Sequence, residues 1–162
     1  MKVVYTKTYN DLLHHFLKGA KESLVHDGHV IPYLFALCGP NENPTFVPLP
    51  ITAETKLEKA GFAQYARRRL KETEAWGYVV VSDSWIVLKD DLAANEHLTQ
   101  YVKPSQHPKH REALFVTLET KDYRTSVAAV YERHGSTVSF QKEITYPPEV
   151  CAVGVFSDLL KE

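Results

Sequence analysis

From Tyr78 to Thr145 the chain is built of β-branched and aromatic residues broken by tight turn signals, and this half limits the fold more than any other feature. The run Tyr78-Val-Val-Val-Ser-Asp-Ser-Trp-Ile-Val-Leu88 opens it, followed by Ala113 to Lys121, Arg124 to Arg133 and Thr137 to Thr145. Asp122-Tyr123 and His134-Gly135-Ser136 leave room only for hairpin connections. Strands joined this tightly must run antiparallel, because a parallel pair needs a crossover of about a dozen residues or more. The last run alternates: Val138, Phe140 and Ile144 are predicted to face one way, and Thr137, Ser139, Gln141, Glu143 and Thr145 the other. That polar set implies a face that is wet or covered by a partner.

The first half supplies helices. Tyr9, Leu12, Leu13, Phe16, Leu17, Ala20 and Leu24 recur at helical spacing and predict a helix over Tyr9–Val25, capped by Thr8 or Asn10 and ended by Gly28. Val30 to Leu37 reads as a central strand in spite of Pro32, the turn formers Gly39–Pro44 follow, and Thr45 to Leu49 returns as a short strand. Pro50-Ile-Thr52 opens a second helix with Thr52 as N-cap, running to about Glu74 with Leu57, Phe62, Tyr65, Ala66 and Leu70 on its apolar arc and Gly77 closing it. Val155 to Leu160 suits a short closing helix after Tyr146-Pro-Pro148 breaks the sheet. The sum is one α+β domain over 1–162, with order α-β-β-α-β-β-β-β-α. Its sheet is mainly antiparallel, of about five to six strands, with two main helices packed on one face.

Composition narrows the function classes. Nineteen Lys plus Arg against twenty Asp plus Glu leave a net charge of −1, so no overall basic field attracts nucleic acid or anionic lipid. Arg67-Arg68-Arg69 splay about 100° apart on a helix and form no single patch. The chain has no Walker-type loop, GxGxxG, GxSxG or RNP-type aromatic motif, and the reading assigns it no cofactor. Cys38 and Cys151 stand alone in apolar surroundings and read as reduced, buried thiols. Met1–Lys7 lacks the apolar stretch of a signal peptide, and no run is long enough for a membrane span, which points to the cytoplasm.

Three features attract chemistry. His26-Asp27-Gly28-His29 and His107-Pro108-Lys109-His110 each place two imidazoles three apart, so His26, His29, His107 and His110 are candidate metal ligands or, alternatively, surface and capping histidines. Asp83 interrupts an apolar strand, as an acid, base or ligand served by Arg111 or Glu112, as part of a bulge or tight turn at Ser82-Asp83-Ser84, or as the structural partner of a cation such as Arg111. Lys89 to Glu112 forms a long connection of little periodicity, the first place for a working surface. Trp76 and Trp85 read as core anchors.

Val81-Ser-Asp-Ser-Trp85, with Pro104-Ser105-x-x-Pro108-x-x-Arg111-Glu112-Ala113-Leu114, resembles a family of small bacterial and phage proteins. In these an acidic residue precedes a strand Trp, and a PS-x-x-P-x-x-R-type segment leads into the next strand. The resemblance spans Val81 to Thr117 and implies no activity, but it groups Asp83, Arg111 and Glu112. Two function classes follow. One is a non-catalytic protein acting through self-association, as a homodimer, or through a protein partner. The other is a small hydrolase-like or metal-assisted enzyme using Asp83, Glu112 and a His pair.

Overall fold

The structure, a computed structural model, describes residues 2–30, 32–38, 45–48, 56–88, 108–146 and 159–160. Two helices, α1 (Lys2–Asp27) and α2 (Lys56–Glu72), accompany strands β1 (Tyr33–Leu37), β2 (Thr45–Pro48), β3 (Gly77–Ile86), β4 (Arg111–Thr120), β5 (Arg124–His134) and β6 (Thr137–Tyr146). The strands form one antiparallel sheet in the order β2-β1-β3-β4-β5-β6. The fold is α+β, as the pattern implied. Thr52, most of residues 89–112 (His107 among them), Cys151 and nearly all of the closing segment Val155–Leu160 lie outside the described residues.

Helix α1 starts earlier than periodicity indicates, so Thr8 and Asn10 fall inside it rather than at its start. Its end is as read. Gly28 takes φ +79° and its amide donates to the Leu24 carbonyl at 2.9 Å, a left-handed stop that a Cβ would strain. Leu13, Leu17, Ala20 and Leu24 are all at most 2% exposed and pack on Val79, Val81, Leu114, Val116, Leu118, Val127 and Ala129. Burying each leucine contributes about 1.5–3 kcal/mol, which fixes α1 against β3, β4 and β5.

The two helices do not share a face. Along β1, Tyr33, Phe35 and Leu37 join the α1 core, whereas Leu34 and Ala36 pack with Ala66 and Leu70 of α2. On β3, Val79 and Val81 turn to α1 while Tyr78 and Val80 turn to α2. The reason lies in the connection. β2 and β3 both run antiparallel to β1, so α2 links two parallel strands across the intervening β1 and lies over the face α1 leaves open. Leu57 departs from the predicted arc and is 84% exposed. The helix stops at Glu72, short of Gly77; Glu74 takes φ +53° in the turn that follows, and Gly77 begins β3.

A β-bulge corrects the reading of β6. Tyr131 pairs with Phe140 and Val130 with Lys142, leaving Gln141 as the extra residue. Val138 and Phe140 therefore face α1, but Ile144 crosses to the opposite face and packs with Ala128 and Phe115. That face also carries the buried pair Glu119–Arg124, whose Nε–Oε2 distance is 3.1 Å, and the Thr117–Ser126 hydroxyl contact at 2.8 Å. No described helix is long and apolar enough to cross a membrane.

Candidate functional site

Pleating decides which of the singled-out residues can meet. Asp83 and Glu112 fall on the α1 face, because Asp83 pairs with Leu114 and Glu112 pairs with Trp85 on one side and Tyr131 on the other. Arg111 pairs with Ile86 and points to the opposite face, where its Nη1 donates to Gln141 Oε1 at 3.3 Å. The expected Asp83–Arg111 partnership is thus excluded by parity. The cation beside the carboxylates is Arg133. Its Nε donates to Glu112 Oε2 at 3.1 Å and its Nη1 to the Gly28 carbonyl at 2.7 Å, tying β5 to the end of α1.

Around this clasp four polar groups gather where α1 ends: Asp83, Glu112, Tyr131 and His29. Burial pushes the Asp83 carboxyl above the usual aspartate range; Glu112 adds to the rise, while its own amide, Arg133 and His29 oppose it. Among the described residues Asp83 has no ion pair. Tyr131 is 1% exposed and its phenol is pushed up to about 12, first by burial and then by Glu112 and Asp83. The neighbouring Arg133 guanidinium opposes that rise. Arg133 lies over the Tyr131 ring at 5.5 Å while its Nε and Nη1 donate to Glu112 and Gly28.

Trp85 is not a core anchor. It is 43% exposed on the same face as Asp83, and the His110 ring meets it edge-on at 4.6 Å. Trp76 does pack in the core rim, stacked on Tyr9 at 5.7 Å. His26 lies on the surface beside Asp27, and the His29 ring nitrogen sits 3.0 Å from the Asp27 carbonyl. No group of three or more His, Cys, Asp or Glu suited to a metal ion occurs among the described residues.

A second surface feature escaped the sequence reading. α1 crosses the sheet over β3 to β5 and leaves the matching face of β1 and β2 only partly covered. Tyr33, Phe35 and Phe46 meet there, with ring centroids 5.2 Å apart for Tyr33–Phe35 and 5.5 Å for Phe35–Phe46, and Phe46 is 54% exposed. With His15, Phe16, Lys18, Gly19 and Glu22 of α1, Tyr33 and Phe35 line a cleft of about 360 Å³. Register could have shown it, because Phe35 and Phe46 are directly cross-strand once the hairpin is counted out.

The chain matches no protein-family model, no curated protein and no solved structure. The geometry alone therefore carries the functional reading.

Proposed function

We propose that this protein acts by binding a partner through the aromatic cleft between α1 and the β1–β2 end of the sheet, and that the partner is a second copy of the same chain. The observation that carries this is Phe46, a large ring more than half exposed beside Tyr33 and Phe35 on an edge strand of four residues. Contiguous exposed rings at a sheet edge mark association surfaces, because both the apolar area and the open backbone groups are satisfied by a neighbour. A twofold contact must be self-complementary. The cleft meets that demand: Lys18 and Glu22 stand four apart on α1 along its wall, so each can face its opposite across the axis. A reducing, cytoplasmic setting fits the free, buried Cys38.

Light scattering tests the reading. The chain should run at twice its 18.4 kDa, and Phe46→Glu should return it to a monomer that keeps its far-ultraviolet circular dichroism. A wild-type mass of 18.4 kDa at all micromolar concentrations sinks it.

One observation favours a second reading, a hydrolase-like acid–base site. The Asp83 carboxyl, raised by burial, has the His29 imidazole close enough to act on its titration. Ester or amide hydrolysis lost in Asp83→Asn would support it, with Glu112 as the second carboxylate.

A further inference from the structure

We propose that the hollow between the end of α2 and the tip of the β4–β5 hairpin binds a small amphipathic carboxylate, its charged group held by Arg67, Lys71 and Lys121 and its apolar body seated on Leu70 and Leu159. The site lies on the α2 face and does not depend on the dimer reading.

Chain geometry makes the hollow. α2 returns into β3 through a short turn, and β3 pairs with β4, so Gly77 lies opposite Thr120 and the turn carrying Lys121 comes beside the end of the helix. That turn is closed by the Thr120 amide donating to the Tyr123 carbonyl at 2.8 Å. Leu159 forms a further wall: its amide donates to the buried Tyr78 hydroxyl at 3.2 Å, and Leu159 and Leu70 are 4% and 1% exposed. The cavity so lined holds about 340 Å³, at the small end of the roughly 300–1,000 Å³ of ligand pockets. A body of one ring or a short chain suits that size, and resting on the two leucines it leaves water.

Charge sets the sign of the ligand. Arg67, Lys71 and Lys121 line the hollow against one carboxylate, Glu74. The surplus is positive on a chain whose net charge is −1. Arg67 and Lys71 stand four apart on α2 and share a face, whereas Arg69 is committed to Glu72 at 2.8 Å. Arg67, Lys71 and Lys121 have no ion pair among the described residues.

Cations near a helix end commonly serve its free carbonyls. Here the backbone already does so. The amides of Thr73, Glu74 and Ala75 donate to the carbonyls of Arg69, Lys71 and Leu70 at 3.1, 3.1 and 3.0 Å, and the Thr73 hydroxyl adds a bond to Arg69 at 2.9 Å. The cationic groups are thereby left for a guest. A guanidinium takes a carboxylate through paired hydrogen bonds, and the two ammonium groups add compact charges. Glu74 favours a guest with a single negative charge, because a second would be repelled by it.

The test is a two-dimensional NMR titration of the intact protein with octanoate and with 4-phenylbutyrate. The neutral amide of each acid and inorganic phosphate serve as controls. Saturable shifts of the backbone amides of residues 67–75, 121 and 159–160 are expected with both acids, and none that saturate with the controls. Lys71→Gln combined with Lys121→Gln should weaken octanoate at least about tenfold. Both positions are exposed, so far-ultraviolet circular dichroism should be unaltered. Glu74→Gln should tighten binding a few-fold, and Arg68→Gln, a cation of the same helix outside the hollow, should leave it unchanged. Tighter binding of octanoate assigns the floor to a chain, and tighter binding of 4-phenylbutyrate assigns it to a ring. Shifts that do not saturate, an equal response to the amides or to phosphate, or wild-type affinity in the double variant would overturn the proposal.

Discussion

Arg133 Nη1 donates to the Gly28 carbonyl oxygen at 2.7 Å, joining the far end of β5 to the residue that stops α1 across 105 positions of sequence. The same guanidinium holds Glu112 of β4, so one side chain couples three elements. Arg133→Met keeps the aliphatic stem but removes both contacts. It should cost about 1–2 kcal/mol, low in the range for charged hydrogen bonds because the side chain is partly exposed. Urea unfolding of Arg133→Met, Glu112→Gln and the double variant should show coupling, whereas Asp83→Ala and Arg111→Ala should add within about 0.5 kcal/mol, since they lie on opposite faces.

Glu119 and Arg124 face one another on β4 and β5 with 4% and 15% of their side chains exposed. Glu119→Ala takes the carboxylate away from a nearly buried guanidinium and should destabilise by about 3–5 kcal/mol. Replacing both residues by leucine should cost far less, because no charge is left buried. A leucine pair as damaging as the single change would show that the ion pair itself stabilises the sheet.

Stability should fall with rising pH through a window that opens near the ordinary aspartate pKa of about 3.9 and closes at the raised value of Asp83. In that window the folded state holds a proton that the unfolded state has released. Asp83→Asn should abolish this slope and be at least as stable as the parent at neutral pH. Glu143 works in the opposite sense: the Lys21 hydrogen bond lowers its carboxyl, and its stabilisation is lost as pH falls through the lowered value. Chemical denaturation between pH 3 and 8, on wild type and on each variant (Asp83→Asn and Glu143→Gln), separates the two.

Trp85→Ala should cost only about 1–2 kcal/mol because the ring is 43% exposed, against about 3–5 kcal/mol for the buried Tyr78→Ala or Tyr131→Ala. Matched denaturant midpoints for Trp85→Ala and Tyr131→Ala would contradict the burial pattern.

The antiparallel strands were legible because alternation and short turns are local, and Gly28 and Gly135 announced their own stops. Three things were not. The early start of α1 runs through Val3, Val4, Thr6 and Thr8, residues of poor helix propensity that give no local signal for it. The bulge at Gln141 leaves no local mark, so simple alternation puts Ile144 on the wrong face. The side of the sheet taken by α2 depends on a crossover that periodicity cannot show. The clasp was nearer to hand. Counting outward from the tight Asp122-Tyr123 turn brings Glu112 opposite Tyr131, with Arg133 two residues further on the same pleat. Arg111 adjoins Glu112 in sequence, but adjacency in a strand means opposite faces.

The stacking of Tyr9 on Tyr123 at 5.6 Å pins α1 two turns in from its start, just before β5 begins, and Arg133 pins its C-terminal end just before β5 finishes. From Tyr9 to Gly28 a helix climbs about 28 Å, and from Tyr123 to Arg133 an extended chain covers about 33 Å. Helix and strand are thus commensurate, like a bolt cut to its plate. One residue inserted into the middle of α1 would lengthen it by only about 1.5 Å but turn one anchor about 100° from its seat. This pairing of lengths therefore tolerates substitutions along the helix better than any change in its number of residues.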